Sequence, residues 1–518
     1  VNFIEEETTM NIKKICRSFL LLIAVIFYFG ILNLGFCPVY MHNVFGQVPP
    51  DALVNQFFNA QSGTPTAYYI KYTIFAFIPA LIVLLLTIYA FRRYKQPQHR
   101  KIRTCLHVLV VIVMLLAFTN FERYTHVTRH FWYNFYDNPL IENNYVDTKN
   151  VALTFPAKKQ NLIYIWSESM ESSYQDPASG GCMKENLIPE LTRLAKDNYS
   201  FSVNKDLGGF SPVQTATYTL GSMVAQMSGL PYIVPFRQPN DTPPGAFLPG
   251  AYNLGDILAK EGYKNVFYSG ASAKFGRQEN WFLQHGDYEV CDLNWFKRTG
   301  KVPEDYMKFW GIEDIKLFAF AKERLTELAK SSQPFNFQLE LMDTHGPEGW
   351  PTTGYTASKY PDDQYANVLI GASKMINEFV DWIKAQPFYK DTTIIIVGDH
   401  FTMAPDYHRH YLPNLRPSVY NCIINPRLTT AEKNEFQRQK EAITMDMFPT
   451  TLAALGVKIP GNRLALGTNL FSAEAPLAQR VGLAAINEAF SQNSKFYCNK
   501  FLHKDWLKQP VEEEETQD

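Results

Sequence analysis

Three stretches of this 518-residue chain carry no Asp, Glu, Lys or Arg over nearly a membrane's width: residues 18–36, 72–91 and 104–121. A hydrocarbon core of about 30 Å needs roughly 20 apolar residues in helical form. Three such runs in residues 1–121 predict a transmembrane anchor of about three helices. A cleaved signal peptide has a shorter apolar core and leaves the second and third runs unexplained. Lys13, Lys14 and Arg17 precede the first run, and Arg92, Arg93, Lys95, Arg100, Lys101 and Arg103 separate the second from the third. The loop between the first and second holds only Lys71. Positive charge stays on the cytoplasmic side, so the N-terminus is expected inside and everything after about residue 122 outside. Pro79 is expected to kink the second helix. Met10, followed by Asn-Ile-Lys-Lys, reads as a natural start, with residues 1–9 as an extension.

The remainder divides by composition. Residues 122–157 are aromatic and polar without a clean period and read as a juxtamembrane linker, with Trp132, Tyr133 and Phe135 as interfacial anchors. Residues 158–500 form the outside domain, and 501–518 an acidic tail. Hydrophobic residues at 46% against 19% charged exclude extended disorder. A net charge of −1 excludes a strongly basic nucleic-acid binder, and no phosphate-cradling P-loop appears, so no nucleotide is expected. Cys182, Cys291, Cys422 and Cys498 fall outside the membrane, where disulfides are permitted. No CxxC spacing points to structural zinc.

In the outside domain short β-rich runs (161–166, 265–268, 335–341, 393–397, 419–424) alternate with helical patterns (188–197, 253–261, 312–330, 365–386). Alternation of this kind predicts an α/β domain with a mostly parallel sheet, whose ligands gather beyond the carboxyl ends of the strands. The first run is followed by Ser167-Glu168-Ser169, the third by Asp343-Thr344-His345-Gly346-Pro347, the fourth by Gly398-Asp399-His400. Glu168, Asp399 and His400 together offer two carboxylates and an imidazole, a donor set suited to Mn²⁺ or Zn²⁺. A divalent ion with an open position lowers the pKa of a bound hydroxyl and polarises a phosphoryl oxygen. Hydroxyl nucleophiles are offered by Thr215, Thr217 and Thr219, at the start of a helix patterned by Leu220, Met223, Val224 and Met227. A helix start supplies unpaired amides and a positive dipole end for a phosphoryl group.

These pieces resemble the alkaline-phosphatase/sulfatase superfamily, and within it the membrane-anchored lipoteichoic acid synthases and phosphoglycerol transferase I enzymes. The resemblance covers about residues 158–460 and rests on NLIYIWSES, TYTLGSMVAQMSGLP, SGASAKFGRQENWFLQHG, MDTHGPEGW and TIIIVGDH. It implies an alkaline-phosphatase-like sheet flanked by helices, with Glu168, Asp399 and His400 as metal ligands. A helix-start threonine then serves as nucleophile and fourth ligand. It makes His345 and Arg277 substrate-binding residues, with Phe275 as an aromatic neighbour. The family places a Gly-rich turn directly before the threonine. Here Val213-Gln214 precedes Thr215, ungapped alignment lands on Ala216, and one inserted residue restores Thr215. Thr215 is therefore the expected nucleophile, ahead of Thr217 and Thr219. His408 and His410 are possible substrate contacts. The Cys/Ser-x-Pro-x-Arg sulfatase modification motif is absent, since Ser211-Pro212-Val213 has the wrong spacing and lacks the arginine.

The resemblance implies one divalent metal, Mn²⁺ foremost with Zn²⁺ or Mg²⁺ as alternatives. It implies transfer of phosphoglycerol from phosphatidylglycerol to an extracytoplasmic glycan or glycerol-phosphate acceptor, through a phospho-threonine intermediate. The expected location is a bacterial cytoplasmic (inner) membrane, with the catalytic domain on its outer or periplasmic side. Three alternatives remain: phosphoethanolamine transfer to lipid A or a surface glycan, an inactive metal-binding membrane receptor, and a simple hydrolase that releases free phosphoglycerol even without acceptor.

Overall fold

The computed structural model describes residues 2–45, 66–133, 135–205, 207–233, 246–403, 407 and 416–502. The chain divides into two units, the first holding residues 1–50 and 65–129 and the second the remainder.

The first unit is helical: α1 (Asn2–Phe45), α2 (Thr66–Arg93) and α3 (Arg100–Thr125). Each contains a segment long and apolar enough to cross a membrane. Inside α2 a π turn, Thr73–Phe77, ends two residues before Pro79. Proline lacks an N–H and its ring clashes with the preceding turn, so a local change of helical hydrogen bonding accommodates it. Helices α1 and α3 approach closely at Gly35, where an added Cβ would lie 2.5 Å from the Ala117 Cβ. Tyr72 donates to Asn33 Oδ1 at 2.5 Å and Asn120 to the Gly35 carbonyl at 2.9 Å, which satisfies polar groups on otherwise apolar helices.

The second unit is built on a seven-stranded sheet in the order β2-β7-β6-β1-β5-β3-β4. Its strands are β1 (Asn161–Ser167), β2 (Gly209–Phe210), β3 (Lys264–Ser269), β4 (Glu289–Cys291), β5 (Phe335–Glu340), β6 (Thr392–Gly398) and β7 (Val419–Ile424). Strands β6, β1, β5, β3 and β4 are parallel; β7 runs antiparallel to β6 and β2 to β7. The sheet is therefore mostly parallel, as the strand–helix alternation predicts. The edge strands β2 and β4 are two and three residues long, too short to leave a hydrophobic pattern.

Both faces are covered, which is why the central strands are apolar throughout. Leu162, Tyr164 and Trp166 of β1 point into one core and Ile163 and Ile165 into the other. The first core receives α5 (Thr219–Ser228) and α9 (Met447–Ala454). The second receives α4 (Pro189–Asp197), α7 (Asp314–Leu328) and α8 (Gln364–Lys384). Each fully buried Leu, Ile or Phe side chain contributes about 1.5–3 kcal/mol relative to exposure. A buried polar chain crosses three strands: Trp166 donates to Gln338 at 2.8 Å, Gln338 to Asn336 at 2.7 Å, and Asn336 to Asn265 at 3.0 Å. A one-residue slip of β5 would strand these groups unpaired, so the chain fixes the register.

Residues 137–155, read from sequence as linker, are stitched into this unit. Val146 bridges Ala465, Thr154 bridges Lys458, and Tyr145, Leu153 and Phe155 pack on the first core. Among the described residues no cysteine is joined in a disulfide.

Candidate metal centre

Register delivers the site. Ser167 pairs with Gly398 at the ends of the adjacent parallel strands β1 and β6. The next residues, Glu168 and Asp399, therefore leave the sheet side by side. Gly398 has no room for a side chain, since a Cβ there would lie 1.9 Å from the Met170 carbonyl oxygen. Glu168, Asp399 and His400 are all buried, and one ligand atom from each lies within 4.8 Å of the others. His400 Nε2 is 3.3 Å from Asp399 Oδ2 and 3.5 Å from Glu168 Oε1.

The surroundings orient each ligand. Asp399 Oδ1 accepts from the Ser169 and His400 amides at 2.7 and 2.8 Å, while Oδ2 has no partner. Ser169, held in the left-handed region at φ 51°, donates its hydroxyl to Glu168 Oε1 at 2.6 Å. A non-glycine residue held there costs about 1–3 kcal/mol. His400 donates Nδ1–H to the Phe401 carbonyl at 2.7 Å, leaving the Nε2 lone pair for the centre. Burial, reinforced by the charge of Glu168, pushes the Asp399 pKa up to about 7. Burial opposes charging of His400, but the Asp399 and Glu168 carboxylates outweigh it and raise its pKa. Two buried acids around an imidazole, with one carboxylate oxygen unpaired, suit a divalent cation that supplies the missing positive charge.

A hydroxyl, that of Thr219, also reaches this cluster: it lies 3.4 Å from Glu168 Oε2 and 3.3 Å from His400 Nε2. Thr219 opens α5, after Tyr218 in extended conformation, so first-turn amides without helical acceptors surround it. Ser222, one turn on, donates to the Asp399 carbonyl at 2.5 Å and ties α5 to the end of β6. Thr215, the expected nucleophile, is placed apart from this cluster. Thr215 lies in a separate 3₁₀ turn, Gln214–Ala216, with its hydroxyl buried and without a partner. Thr217 donates to the Gln214 carbonyl at 3.2 Å. The chain turns once at 214–216 and enters the helix only at 219, so the last threonine of the three reaches the cluster. The sequence signal for it is where the apolar helical pattern begins, at Leu220.

His345 sits on the loop after β5. The Asp314 carboxylate at the start of α7 accepts from the Met342 amide at 2.8 Å, and Asp343 accepts from the Asp314 amide at 3.1 Å. Thr344 donates to the Glu168 carbonyl at 2.6 Å. His345 donates Nδ1–H to the Gly346 carbonyl at 2.9 Å, and the Trp310 ring centroid is 4.5 Å from its own. Burial lowers its pKa to about 4, so the ring is neutral at neutral pH. Arg277 closes a 3₁₀ turn, Phe275–Arg277. It adopts φ 66°, donates to the Ala246 carbonyl at 3.0 Å and lies over the Phe247 ring at 5.4 Å. The preceding Gly276 faces Leu220, at the start of α5. His408 and His410 lie outside the described residues. Ser169, Ser222 and Thr344 escaped sequence reasoning because isolated hydroxyls carry no pattern.

A parallel α/β sheet that ends in buried acids, an imidazole and a helix-start hydroxyl defines a metal-site protein of the alkaline-phosphatase kind. The sulfatase family model matches residues 160–457, and the chain belongs to that family. Phosphoglycerol transferase I of Escherichia coli (strain 55989 / EAEC) is 30% identical over 331 residues, 63% of this chain and 41% of that protein. The match thus spans about two fifths of the relative's length. Among solved structures, a protein in the alkaline phosphatase superfamily from Vibrio parahaemolyticus is 19% identical with a TM-score of 0.48, covering 65% of this chain and 78% of that one. The lipoteichoic acid synthase LtaP from Listeria monocytogenes is 19% identical with a TM-score of 0.46, covering 62% and 80%.

Proposed function

We propose that this chain is a membrane-anchored, metal-dependent phosphoglycerol transferase. Its donor is phosphatidylglycerol and its acceptor a hydroxyl of an extracytoplasmic glycan or glycerol-phosphate chain. One observation carries the reading: the Thr219 hydroxyl stands within 3.4 Å of both Glu168 and His400. The similarity to phosphoglycerol transferase I supports the choice of headgroup. The missing arginine after Ser211-Pro212-Val213 speaks against sulfate-ester hydrolysis.

Glu168, Asp399, His400 and the Thr219 hydroxyl would hold the metal, with Mn²⁺ suited to an oxygen-rich set containing one imidazole. Such an ion, when bound, lowers the pKa of the hydroxyl and offsets phosphoryl charge. Thr219 Oγ bonds to phosphorus as the bond to the diacylglycerol oxygen breaks. The departing diacylglycerol takes up the threonine's proton, leaving phosphoglyceryl-threonine. An acceptor hydroxyl then bonds to phosphorus, the Thr219 Oγ–P bond breaks, and the acceptor's proton returns to Thr219. Neutral His345 accepts a hydrogen bond from the incoming hydroxyl. The first-turn amides of α5 and the Arg277 guanidinium bind phosphoryl oxygens. The anchor keeps the site beside a donor confined to the bilayer, on the outer side by the arginine and lysine distribution.

Intact mass of the full chain in detergent, after incubation with phosphatidylglycerol and Mn²⁺, tests this. A phosphoglyceryl adduct on the wild type that is missing from Thr219→Ala supports the reading. An adduct only with phosphatidylethanolamine replaces the headgroup, and no adduct or released headgroup with either lipid favours a receptor.

A further inference from the structure

Glu340, the last residue of β5, is a buried acid without a part in the chemistry above. It pairs with Trp166 of β1 and Ser269 of β3. Since side chains alternate along a strand, Glu340 emerges on the face of Trp166, which is also the face of Glu168 two residues on. The acid thus lies one strand away from a metal ligand, 2% exposed. Its Oε1 accepts from Gln278 Nε2 at 2.6 Å. Burial, with the charges of Glu168 and Asp399 adding to it, pushes its pKa to about 8. At neutral pH the group is mostly the neutral acid and adds little negative charge beside the centre.

Gln278 is what makes the contact informative. It is the first residue of α6 (Gln278–Gln284) and directly follows Arg277. Gly276 and Arg277 are successive left-handed residues, at φ 63° and 66°. An arginine does not hold that conformation unaided, so its neighbours must fix it. On one side the Ala273 amide donates to Asp292 at 3.0 Å and the Glu279 amide to the Ala273 carbonyl at 2.7 Å. On the other side the side-chain tie to the sheet is Gln278 to Glu340.

We propose that Glu340 is a positioning residue that acts through Gln278 to fix the left-handed turn presenting Arg277, and so sets how tightly the site holds a donor phosphoryl group. The proposal rests on the reading of Arg277 as the phosphate-holding arginine. Loss of the tie loosens the turn that sets where Arg277 sits, which weakens phosphate binding while the metal ligands stay in place.

The test is calorimetric binding of sn-glycerol 1-phosphate to the full chain in detergent with Mn²⁺ present, alongside the melting temperature of each variant. Glu340→Leu and Gln278→Leu are each expected to weaken binding about tenfold, the worth of one buried hydrogen bond. The double variant should be no weaker than either single one, because both remove one tie. Glu340→Gln keeps an acceptor oxygen and should restore affinity. Arg277→Ala is the control. If it weakens binding while Glu340→Leu and Gln278→Leu match the wild type, or if the two effects multiply, the positioning role is overturned. If Arg277→Ala binds as wild type, the reading of Arg277 fails, a separate result that removes the basis of the proposal. Should Glu340→Leu not fold, Gln278→Leu decides between the same outcomes.

Discussion

The Thr219 hydroxyl lies 3.3 Å from His400 Nε2, bringing the start of a helix against the end of a parallel strand 181 residues away in sequence. No other threonine of the 215–219 segment has a hydrogen bond to the cluster. The Thr215 hydroxyl, four residues earlier, is buried without a hydrogen-bond partner.

Thr219→Ala should therefore abolish the phosphoglyceryl adduct and lower transfer by at least about 10³-fold, as loss of a covalent nucleophile does. Thr215→Ala should keep the adduct, and its stability should change little, because the hydroxyl it removes has no partner to lose. Intact mass and a turnover assay on both variants read this directly. An adduct lost from Thr215→Ala and kept in Thr219→Ala would reverse the assignment.

Gly221→Ala places a Cβ where it would lie 2.2 Å from the Thr215 carbonyl oxygen. The 3₁₀ turn and the helix start must separate, at a cost of about 1–3 kcal/mol. Because Thr219 sits between them, transfer should fall more than tenfold, beyond what that stability loss explains. Comparing the melting curve with kcat separates the two. Wild-type turnover in a folded variant would show that the close approach does not place Thr219.

Removal of divalent metal with a chelator should stop transfer, and Mn²⁺ should restore it. Ser169 touches Glu168 through its hydroxyl and Asp399 through its amide. Ser169→Ala loses only the first contact, and its Mn²⁺ affinity should fall about 10–100-fold, as for other outer-shell partners of metal ligands. Titration of metal-free protein with Mn²⁺, followed by the signal of free ion, measures it. Unchanged affinity would make Ser169 a backbone support alone.

His345 makes stability depend on pH. Its pKa is lowered to about 4 in the folded chain, against about 6.5 unfolded. Below the unfolded value the unfolded chain binds the extra proton. The contribution is thus fully present above pH ~6.5 and is lost as pH falls toward ~4, by roughly 3 kcal/mol at most. His345→Gln should flatten this part of the profile. Parallel denaturant melts between pH 4 and 7 check it, and identical slopes for the two proteins would place the burial penalty elsewhere.

Much of this was written in local pattern. The apolar runs name the three helices of the first unit because a charge-free stretch of that length has few other uses. The central strands are legible because both of their faces are buried, and Glu168, Asp399 and His400 because each follows such a strand. The edge strands β2 and β4 are too short to leave a period. Residues 137–155 have an irregular sequence because they bind the domain through bridges to distant segments at Lys458 and Ala465, not through a face of their own.

That acids and an imidazole meet at one end of a mostly parallel sheet follows from local pattern alone, since strand direction and alternation are properties of neighbouring residues. Which threonine joins them was decided only by tertiary structure. Thr215, Thr217 and Thr219 have the same chemistry within five residues. What distinguishes them is a turn closed at 216, a helix opened at 219, and a hydrogen bond from Ser222 to the Asp399 carbonyl that seats the helix against the strand end. That bond joins residues 177 apart, and no local pattern carries it.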